Sequence, residues 1–314
     1  MEPIDVITIG EAMTLFVAEE AGDLSACSRF SRRLAGAETN VAIGLARLGF
    51  RVSWVSRVGD DAMGRYIRRA IGSEGVDCSH ATVDARYPSG LMLKAKAAPG
   101  MDPAIEYFRK GSAASHLSLD DFDPAQFLAA RHFHATGIAP ALSASAMTLV
   151  AHALDFMRAA GKTVSFDPNL RPSLWPSERT MIAEINRLAA KARWVLPGLS
   201  EGRLLTGREQ PRDIAAFYLD SGAELVAIKL GPAGAYFRSA EAEATLPGVR
   251  VATVVDTVGA GDGFAVGVIS GLLEGLPVAD AVMRGNHIGA LAVQVVGDME
   301  GLPTRAQLEA AQCG

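Results

Sequence analysis

A glycine-rich turn between Asp256 and Phe264 holds the residue types in this chain that are best suited to chemistry. The apolar run Val249–Val255 before it predicts a strand, and the run Ala260–Leu273 after it predicts a helix. Free backbone N–H groups and the helix dipole favour an anion such as phosphate at a helix N-terminus. Three glycines let the backbone approach that anion closely, namely Gly259, Gly261 and Gly263.

Asp262 places a carboxylate inside this turn, which is unfavourable beside a bound anion unless the carboxylate has a task. The task we predict is removal of a proton from a hydroxyl group that attacks a phosphoryl group. The N–H groups of Gly259, Ala260 and Gly261 would stabilise the charge that develops on that phosphoryl group. No Walker A motif occurs, and Phe264 stands where the Rossmann pattern requires glycine or alanine.

The composition is ordinary for a soluble enzyme. The chain has 314 residues and a net charge of −5, which argues against partners such as nucleic acid or an anionic membrane. The three cysteines lie far apart and suit a reducing compartment. The start of the sequence is acidic and runs into a strand, and no apolar run is long enough to span a bilayer. We therefore expect a cytoplasmic location.

Strand-like and helical runs alternate along most of the chain, which predicts an α/β fold with a mostly parallel sheet and helices on both faces. We expect one domain over 1–314, with a small β lid formed by insertions near 12–36 and 87–112. The predicted strands are Val6–Gly10, Val52–Val58, His132–Thr136, Thr163–Asp167, Trp194–Pro197 and Leu225–Leu230. The predicted helices between them are Thr39–Leu48, Gly64–Glu74, Ala144–Ala160, Ser177–Ala192 and Arg212–Ser221.

Four motifs, in order along nearly the whole chain, resemble those of the ribokinase-like (PfkB) family of carbohydrate kinases. They are Gly36–Ala42 leading to Leu45–Gly49, Val58–Asp61 followed by Gly64, Lys229–Ala235, and the turn Asp256–Phe264. The resemblance implies a ribokinase-like three-layer sandwich with a mostly parallel central sheet and a small β-sheet lid. It also implies that ATP and Mg²⁺ are the cofactors.

Within the family, the chain is most similar to the kinases of 2-keto-3-deoxygluconate. The resemblance rests on Glu106–Ser115, Thr136–Ile138, Phe166–Arg171 and Gly297–Gly301. It implies transfer of the γ-phosphate of Mg-ATP to the terminal (6-)hydroxyl of that six-carbon keto-deoxy acid.

Tyr107 and Arg109 are candidates for binding an acidic sugar. Residues two apart on a strand face the same side, and a phenol with a guanidinium can clamp an oxygen-rich anion. Arg171 lies beyond the predicted strand Thr163–Asp167, at the carboxyl end where a ligand pocket is expected. The alternatives are a solvated charge for Arg109, lid packing for Tyr107, and a structural carboxylate partner or a phosphate contact for Arg171.

Gly36 would let the backbone approach the sugar, and the amide of Asn40 can both donate and accept hydrogen bonds to hydroxyls, or else cap its helix. The resemblance places Asp298 at the substrate or at the edge of the active site. The chain departs from the family at Ala35, where a double glycine usually begins, and at Met92, where close relatives carry a second tyrosine.

For the nucleotide, the resemblance implies contacts from five residues: Lys229, Gly231, Gly234, Gly261 and Asn286, the last beside the adenine. Glu201 resembles the acid that acts on the Mg²⁺-phosphate network through water, although Gly198 replaces the asparagine that usually accompanies it. A monovalent cation such as K⁺ near Asp256 is also common in the family.

Three other functions stay open from the sequence. One is a kinase of another sugar, such as fructose, ribose or 5-keto-2-deoxygluconate. A second is a sugar- or nucleotide-binding regulator without catalysis, and a more distant third is a nicotinamide-dependent oxidoreductase. The exposed strand edges of a lid favour pairing with a second copy, so we expect a homo-oligomer.

Overall fold

The computed structural model describes residues 3–96 and 103–312, which form two β-sheets and the helices packed on them. The strands are β1 (Ile4–Ile9), β2 (Met13–Ala21), β3 (Phe30–Ala35), β4 (Val52–Gly59), β5 (Ala81–Asp84), β6 (Leu91–Lys96), β7 (Ile105–Phe108), β8 (Ala130–Thr136), β9 (Thr163–Asp167), β10 (Trp194–Val195), β11 (Leu225–Lys229), β12 (Ala235–Ser239) and β13 (Glu243–Leu246). The helices are α1 (Ala37–Arg47), α2 (Ala62–Ser73), α3 (Pro124–Ala129), α4 (Ile138–Leu142), α5 (Ala144–Ala159), α6 (Glu178–Ala189), α7 (Leu199–Thr206), α8 (Pro211–Asp220), α9 (Ala260–Leu273), α10 (Val278–Ala292) and α11 (Arg305–Gln312).

The large sheet has the strand order β13-β12-β11-β10-β9-β8-β1-β4-β5. Its strands are parallel from β11 through β5, whereas β12 and β13 are antiparallel at one edge. The strand order reverses at β1, which has β8 on one side and β4 on the other. A crevice forms outside the carboxyl ends of strands at such a reversal, and ligands of open α/β sheets bind there.

The core lies on both faces of this sheet, because successive side chains of each strand point to opposite faces. In β1, Ile7 belongs to one apolar cluster and Val6 to the other, and both are fully buried. The first cluster receives the apolar faces of α3, α5, α6 and α8, and the second those of α1, α2, α9 and α10. Two helical layers therefore cover a mostly parallel sheet, and the predicted α/β architecture is confirmed.

The small sheet has the order β3-β2-β6-β7. Strands β2 and β6 are parallel, and β3 and β7 pair antiparallel at the two edges. Its apolar face buries the side chains of Met13, Leu15, Val17, Ala35 and Met92. The part of the predicted lid at 97–102 lies outside the described residues.

The predicted strand Val249–Val255 is wrong. This segment has no strand partner, and the last strand of the sheet, β13, ends at Leu246. Val254 and Val255 expose about half of their surface, and the N–H group of Val255 donates to the carbonyl of Val293 after α10. The β-branched residues indicated a strand, but the chain has already left the edge of the sheet at this point and continues along the end of a helix.

Where a hydrophobic run is bounded by clear turn residues, the predicted limits agree with the structure. Thr163–Asp167 and Ala260–Leu273 have the predicted limits, and α5 ends one residue before its predicted end. None of the helices in the described ranges is both long enough and apolar enough to cross a membrane.

Candidate active site

A cavity of about 460 Å³ lies between the carboxyl ends of the parallel strands and the small sheet. Residues that end or follow β1, β9 and β11 form one wall, and Met92 and Tyr107 of the small sheet form the other. The cavity brings together many residues that the sequence selected: Gly36, Asn40, Tyr107, Arg109, Arg171, Glu201, Lys229, Gly259, Gly261, Asp262 and Asp298.

Asp262 lies in the first turn of α9, with 8% of its surface exposed. Its Oδ2 accepts a hydrogen bond from Asn40 Nδ2 at 2.8 Å, and its Oδ1 accepts one from Asn169 Nδ2 at 3.3 Å. Burial raises the pKa of Asp262, and these hydrogen bonds and the charges of Lys229 and Arg171 oppose the rise. The carboxylate is thus held in a fixed orientation with a raised pKa, both of which suit a general base.

The N-terminus of α9 offers free backbone donors beside this carboxylate. The first helical hydrogen bond runs from Gly263 N to Gly259 O, so the N–H groups of Ala260, Gly261 and Asp262 precede it. Gly259 adopts φ 82°, and a Cβ there would lie 2.2 Å from the carbonyl oxygen of Asp298. Only glycine fits that contact, which keeps the turn open to an anion.

Lys229 brings a positive charge to the same place. A Cβ added at Gly261 would lie 3.5 Å from Lys229 Nζ, so the ammonium group borders the N-terminus of α9. Lys229 Nζ also lies 2.6 Å from Asp167 Oδ2. Burial disfavours the charged form of this lysine, but Asp167, Glu201 and Asp262 outweigh burial and raise its pKa. The lysine stays protonated and can attract phosphate oxygens.

Arg109 lines the cavity, but it is not a free cation. Its guanidinium forms an ion pair with Glu11, with Nη2 2.5 Å and Nε 2.7 Å from Oε2, and Ser112 Oγ donates to the other oxygen of Glu11. Arg109 is 8% exposed, so the alternative of a solvated lid charge is wrong. It follows β7 directly and still shares the cavity with Tyr107, which is 46% exposed.

Arg171, unlike Arg109, has a guanidinium that is not paired with a carboxylate among the described residues. One of its Nη atoms donates to the carbonyl of Leu170 at 2.9 Å, and no carboxylate among the described residues forms an ion pair with it. It lies four residues beyond the end of β9, at the predicted edge of the sheet. A carboxylate ligand in the cavity could therefore form an ion pair with the guanidinium of Arg171.

Gly36 and Asn40 lie at the start of α1 and face the cavity. Gly36 is the N-cap and adopts φ 156°, and a Cβ there would lie 2.6 Å from Thr39 Oγ1. Asn40 is inside the helix, so it is not the cap. Its amide nitrogen contacts Asp262, and its buried Oδ1 has no hydrogen-bond partner in the described chain. That oxygen can accept a hydrogen bond from a ligand hydroxyl.

Two more carboxylates border the cavity. Asp298 is 7% exposed, and burial raises its pKa to about 7, while nearby Lys94 opposes the rise. Its Oδ1 lacks a partner among the described residues. Each oxygen of Glu201 accepts one backbone N–H, Oε1 from Leu170 and Oε2 from Gly198.

Some predicted site residues lie outside the cavity. Gly231 and Gly234 bound the short turn between β11 and β12, and the amide of Asn286 donates to Pro247 O. Asp256 also lies outside the lining residues and is paired with Lys94.

Reasoning from the sequence missed Glu11, Glu38 and the contact between Asn169 and Asp262. Glu38 is fully buried in the cavity wall, and burial raises its pKa to about 7. Thr136 Oγ1 donates to its Oε1 at 2.6 Å, and its Oε2 has no partner in the described chain. Asn169 is the one non-glycine residue with positive φ in the described ranges, at 39°. For Glu11 a signal existed, because it follows β1 at the carboxyl end of the sheet.

Comparison with known proteins agrees with this geometry. Residues 4–305 match the description pfkB family carbohydrate kinase. The chain is 55% identical over 306 residues to 2-dehydro-3-deoxygluconokinase of Bacillus subtilis (strain 168), with 97% of this chain and 94% of the relative covered. The crystal structure of a PfkB protein from Polaromonas sp. JS666 superposes with a TM-score of 0.91 at 54% identity, over 98% of this chain and 99% of that one.

A more distant structure has the same fold. It is a double mutant of fructokinase from Vibrio cholerae O395 with bound fructose, ADP and potassium ion, with a TM-score of 0.84, 27% identity and 99% of each chain covered. The predicted resemblance and the ribokinase-like fold are thus confirmed. The chain belongs to the pfkB family of carbohydrate kinases.

Proposed function

We propose that this sugar kinase transfers the γ-phosphoryl group of Mg-ATP to the 6-hydroxyl of 2-keto-3-deoxygluconate. The observation that carries the proposal is the position of Asp262, a buried carboxylate at the N-terminus of α9, in a cavity that also contains Arg171. Arg171 forms no ion pair with a carboxylate of the described residues. The identity of 55% to a 2-dehydro-3-deoxygluconokinase supports the choice of sugar.

Asp262 is the general base of the proposed reaction. It accepts the proton of the sugar hydroxyl while that oxygen forms a bond to the γ-phosphorus and the bond to the bridging oxygen of ADP breaks. Asn40 and Asn169 hold the carboxylate in place through their amide groups. The free N–H groups at the start of α9 and the ammonium of Lys229 stabilise the negative charge on the transferring group.

Arg171 is the proposed partner of the sugar carboxylate, because the charge of Arg109 is already balanced by Glu11. Arg109 can still donate hydrogen bonds from its remaining N–H groups, and Tyr107 can donate from its hydroxyl. The unpartnered oxygens of Asn40 and Asp298 would accept hydrogen bonds from sugar hydroxyls, and Gly36 leaves room for the ligand. The small sheet acts as a lid that excludes water from the reacting phosphoryl group.

Lys229 and Gly261 contact the phosphates in this proposal, and Gly231, Gly234 and Asn286, which do not line the cavity, border the rest of the nucleotide. Mg²⁺ prefers water and phosphate oxygens, and it would neutralise phosphate charge when bound with ATP. Glu201 fits a contact with that ion through water, since each of its oxygens accepts one backbone hydrogen bond and keeps a lone pair.

A monovalent cation does not fit at Asp256 in the way that the resemblance predicted. The carboxylate already has an ammonium group, Lys94 Nζ, 2.5 Å from its Oδ2. We therefore assign no step of the reaction to K⁺, although the fructokinase structure contains a potassium ion.

A second copy of the chain is the proposed partner of the lid. Strand β7 is an edge of the small sheet, and Phe108 on it is 53% exposed. Exposed apolar residues on an edge strand favour pairing with another strand. Light scattering coupled to size exclusion should give a dimer or a larger assembly, and Phe108→Asp should shift it toward the monomer.

A kinase of a neutral or differently oxidised sugar is the second candidate. The ion pair between Glu11 and Arg109 favours this candidate. Arg109 and Arg171 were both expected to bind the carboxylate of an acidic sugar, and Glu11 neutralises the charge of Arg109. Met92 also contributes an apolar side chain to the cavity, at the position where the resemblance places a second tyrosine in close relatives.

A coupled ADP-release assay tests these functions. The panel contains Mg-ATP with 2-keto-3-deoxygluconate, 2-keto-3-deoxygalactonate, 5-keto-2-deoxygluconate, fructose and ribose. We expect the highest kcat/KM for 2-keto-3-deoxygluconate. A preference for fructose or ribose would support the second candidate, and no turnover with any sugar would favour a binding protein that has lost catalysis.

A further inference from the structure

Lys94 is a buried lysine on the lid strand β6, and 3% of its surface is exposed. It lies two residues after Met92 and so points to the same face of the strand, although only Met92 lines the cavity. Lysine is almost never fully buried unless a carboxylate pairs with it. Lys96, the next residue on that face, is exposed, and its ammonium group donates a hydrogen bond to the carbonyl of Glu19.

The partner of Lys94 is Asp256, at the beginning of the turn that leads to the anion-binding N-terminus of α9. Lys94 Nζ lies 2.5 Å from Asp256 Oδ2, and the side chains are 4% and 6% exposed. The same carboxylate accepts the N–H groups of Val258 at 3.2 Å and of Gly297 at 3.3 Å. Both oxygens are therefore occupied, and one full positive charge balances the carboxylate.

We propose that the ammonium group of Lys94 is a built-in replacement for a monovalent cation at this turn. It supplies a single positive charge to Asp256 and orders the backbone from Asp256 to Gly259, which shapes the anion-binding site. Lys94 is thus a positioning residue, since it acts through the turn and is not placed in contact with the sugar or ATP.

The lid and the turn are connected by this pair. Lys94 belongs to the small sheet, whereas Asp256 belongs to the segment between β13 and α9, and the two are 162 residues apart in sequence. Separating a buried ion pair leaves an uncompensated charge, which is strongly unfavourable. The arrangement of the turn therefore depends on the lid strand being in place.

Salt substitution tests this proposal with two readouts, the melting temperature without substrates and the kinetics of ADP release. Wild type, Lys94→Ala and the control Lys96→Ala are compared in choline chloride, KCl and NH₄Cl at equal ionic strength. Wild type and Lys96→Ala should have the same Tm and kcat in all three salts. Lys94→Ala should have a lower Tm and a kcat reduced about 10- to 100-fold in choline chloride, because the turn is displaced.

Potassium or ammonium ions should then restore both properties of Lys94→Ala, since an ion that binds only the folded state raises Tm. A wild-type enzyme whose kcat or Tm rises strongly with K⁺ would overturn the proposal. So would a folded Lys94→Ala protein with unchanged kcat, or one that no cation rescues. If Lys94→Ala does not fold, the double variant Lys94→Met with Asp256→Asn is used, because it removes both charges. This double variant should fold, and its Tm and kcat should not respond to any cation. A rise of Tm or kcat with K⁺ in the double variant would count against the proposal.

The kinetic readout rests on the proposed sugar kinase reaction, whereas the Tm readout does not. Absence of turnover with every sugar would contradict the proposed function. The dependence of Tm on K⁺ in Lys94→Ala would still decide the role of Lys94.

Discussion

The guanidinium of Arg109 and the carboxylate of Glu11 form an ion pair of 2.5 Å in the wall of the cavity, and neither residue exposes more than 8% of its surface. The pair joins the segment that follows β7 of the small sheet to the segment that follows β1. It changes the expected recognition of an acidic sugar, because a paired arginine adds no net charge to the site. The cavity charge without a carboxylate partner among the described residues is that of Arg171, which follows β9.

Replacing Arg171 should impair the binding of acidic sugars selectively. We expect Arg171→Ala to raise KM for 2-keto-3-deoxygluconate about 10- to 100-fold. This is the loss of affinity expected when one hydrogen bond to a charged group is removed. The KM for a neutral sugar such as fructose should change little. Steady-state kinetics on both sugars measure this effect. Arg179→Ala, which replaces an exposed arginine, is the control. Equal losses on acidic and neutral sugars would show that Arg171 does not bind the carboxylate.

Removing one partner of the Glu11–Arg109 pair should mainly affect stability. Arg109→Met leaves the carboxylate of Glu11 buried without its charge partner, so the free energy of unfolding should fall by about 3–5 kcal/mol. Arg109→Met combined with Glu11→Gln should be more stable than Arg109→Met alone. Urea unfolding of the wild type, both single variants and the double variant gives the coupling energy. Strictly additive losses would mean that the two side chains do not interact in solution.

Glu38 predicts a dependence of stability on pH. Its pKa is raised from an ordinary value of 4.5 to about 7, chiefly by burial, so the folded protein keeps a proton that the unfolded chain releases between these values. Stability therefore falls as pH rises through this window, and the full cost is present above pH 7. Glu38→Gln should be more stable than wild type at about pH 8, by up to roughly 3 kcal/mol, and similar to it at about pH 5.

Thermal unfolding at both pH values measures this effect. Glu106→Gln, which replaces an exposed glutamate, is the control. It should shift the melting temperature by the same small amount at each pH. If Glu38→Gln destabilised the protein equally at both pH values, the carboxyl of Glu38 would not be the group that titrates in this window.

The elements that carry the site were predictable because their signals are local. The apolar run of β9 and the glycine-rich start of α9 place Arg171 and Asp262 at the carboxyl edge of a parallel sheet, and the structure has both elements at the predicted residues. The run Val249–Val255 has the same composition as a strand, but pairing depends on a neighbouring strand that the local sequence does not specify.

The ion pairs of the site were not predictable in the same way. Glu11 and Arg109 are 98 residues apart, and Lys94 and Asp256 are 162 residues apart. A lysine in the alternating stretch Ser89–Lys96 is ordinarily a solvated charge on a strand. Only the position of the small sheet above the cavity brings these charges together, and that position is set by packing of the whole chain.

The role of Asp262 as general base is the central claim, and Asp262→Asn tests it most directly. The amide has nearly the same shape and can still accept a hydrogen bond from Asn40, so ATP and sugar should bind about as in wild type, as measured by calorimetry. We predict that kcat for 2-keto-3-deoxygluconate falls by about 10²- to 10⁴-fold, the contribution of a positioned general base. A kcat for Asp262→Asn close to that of wild type would contradict the account.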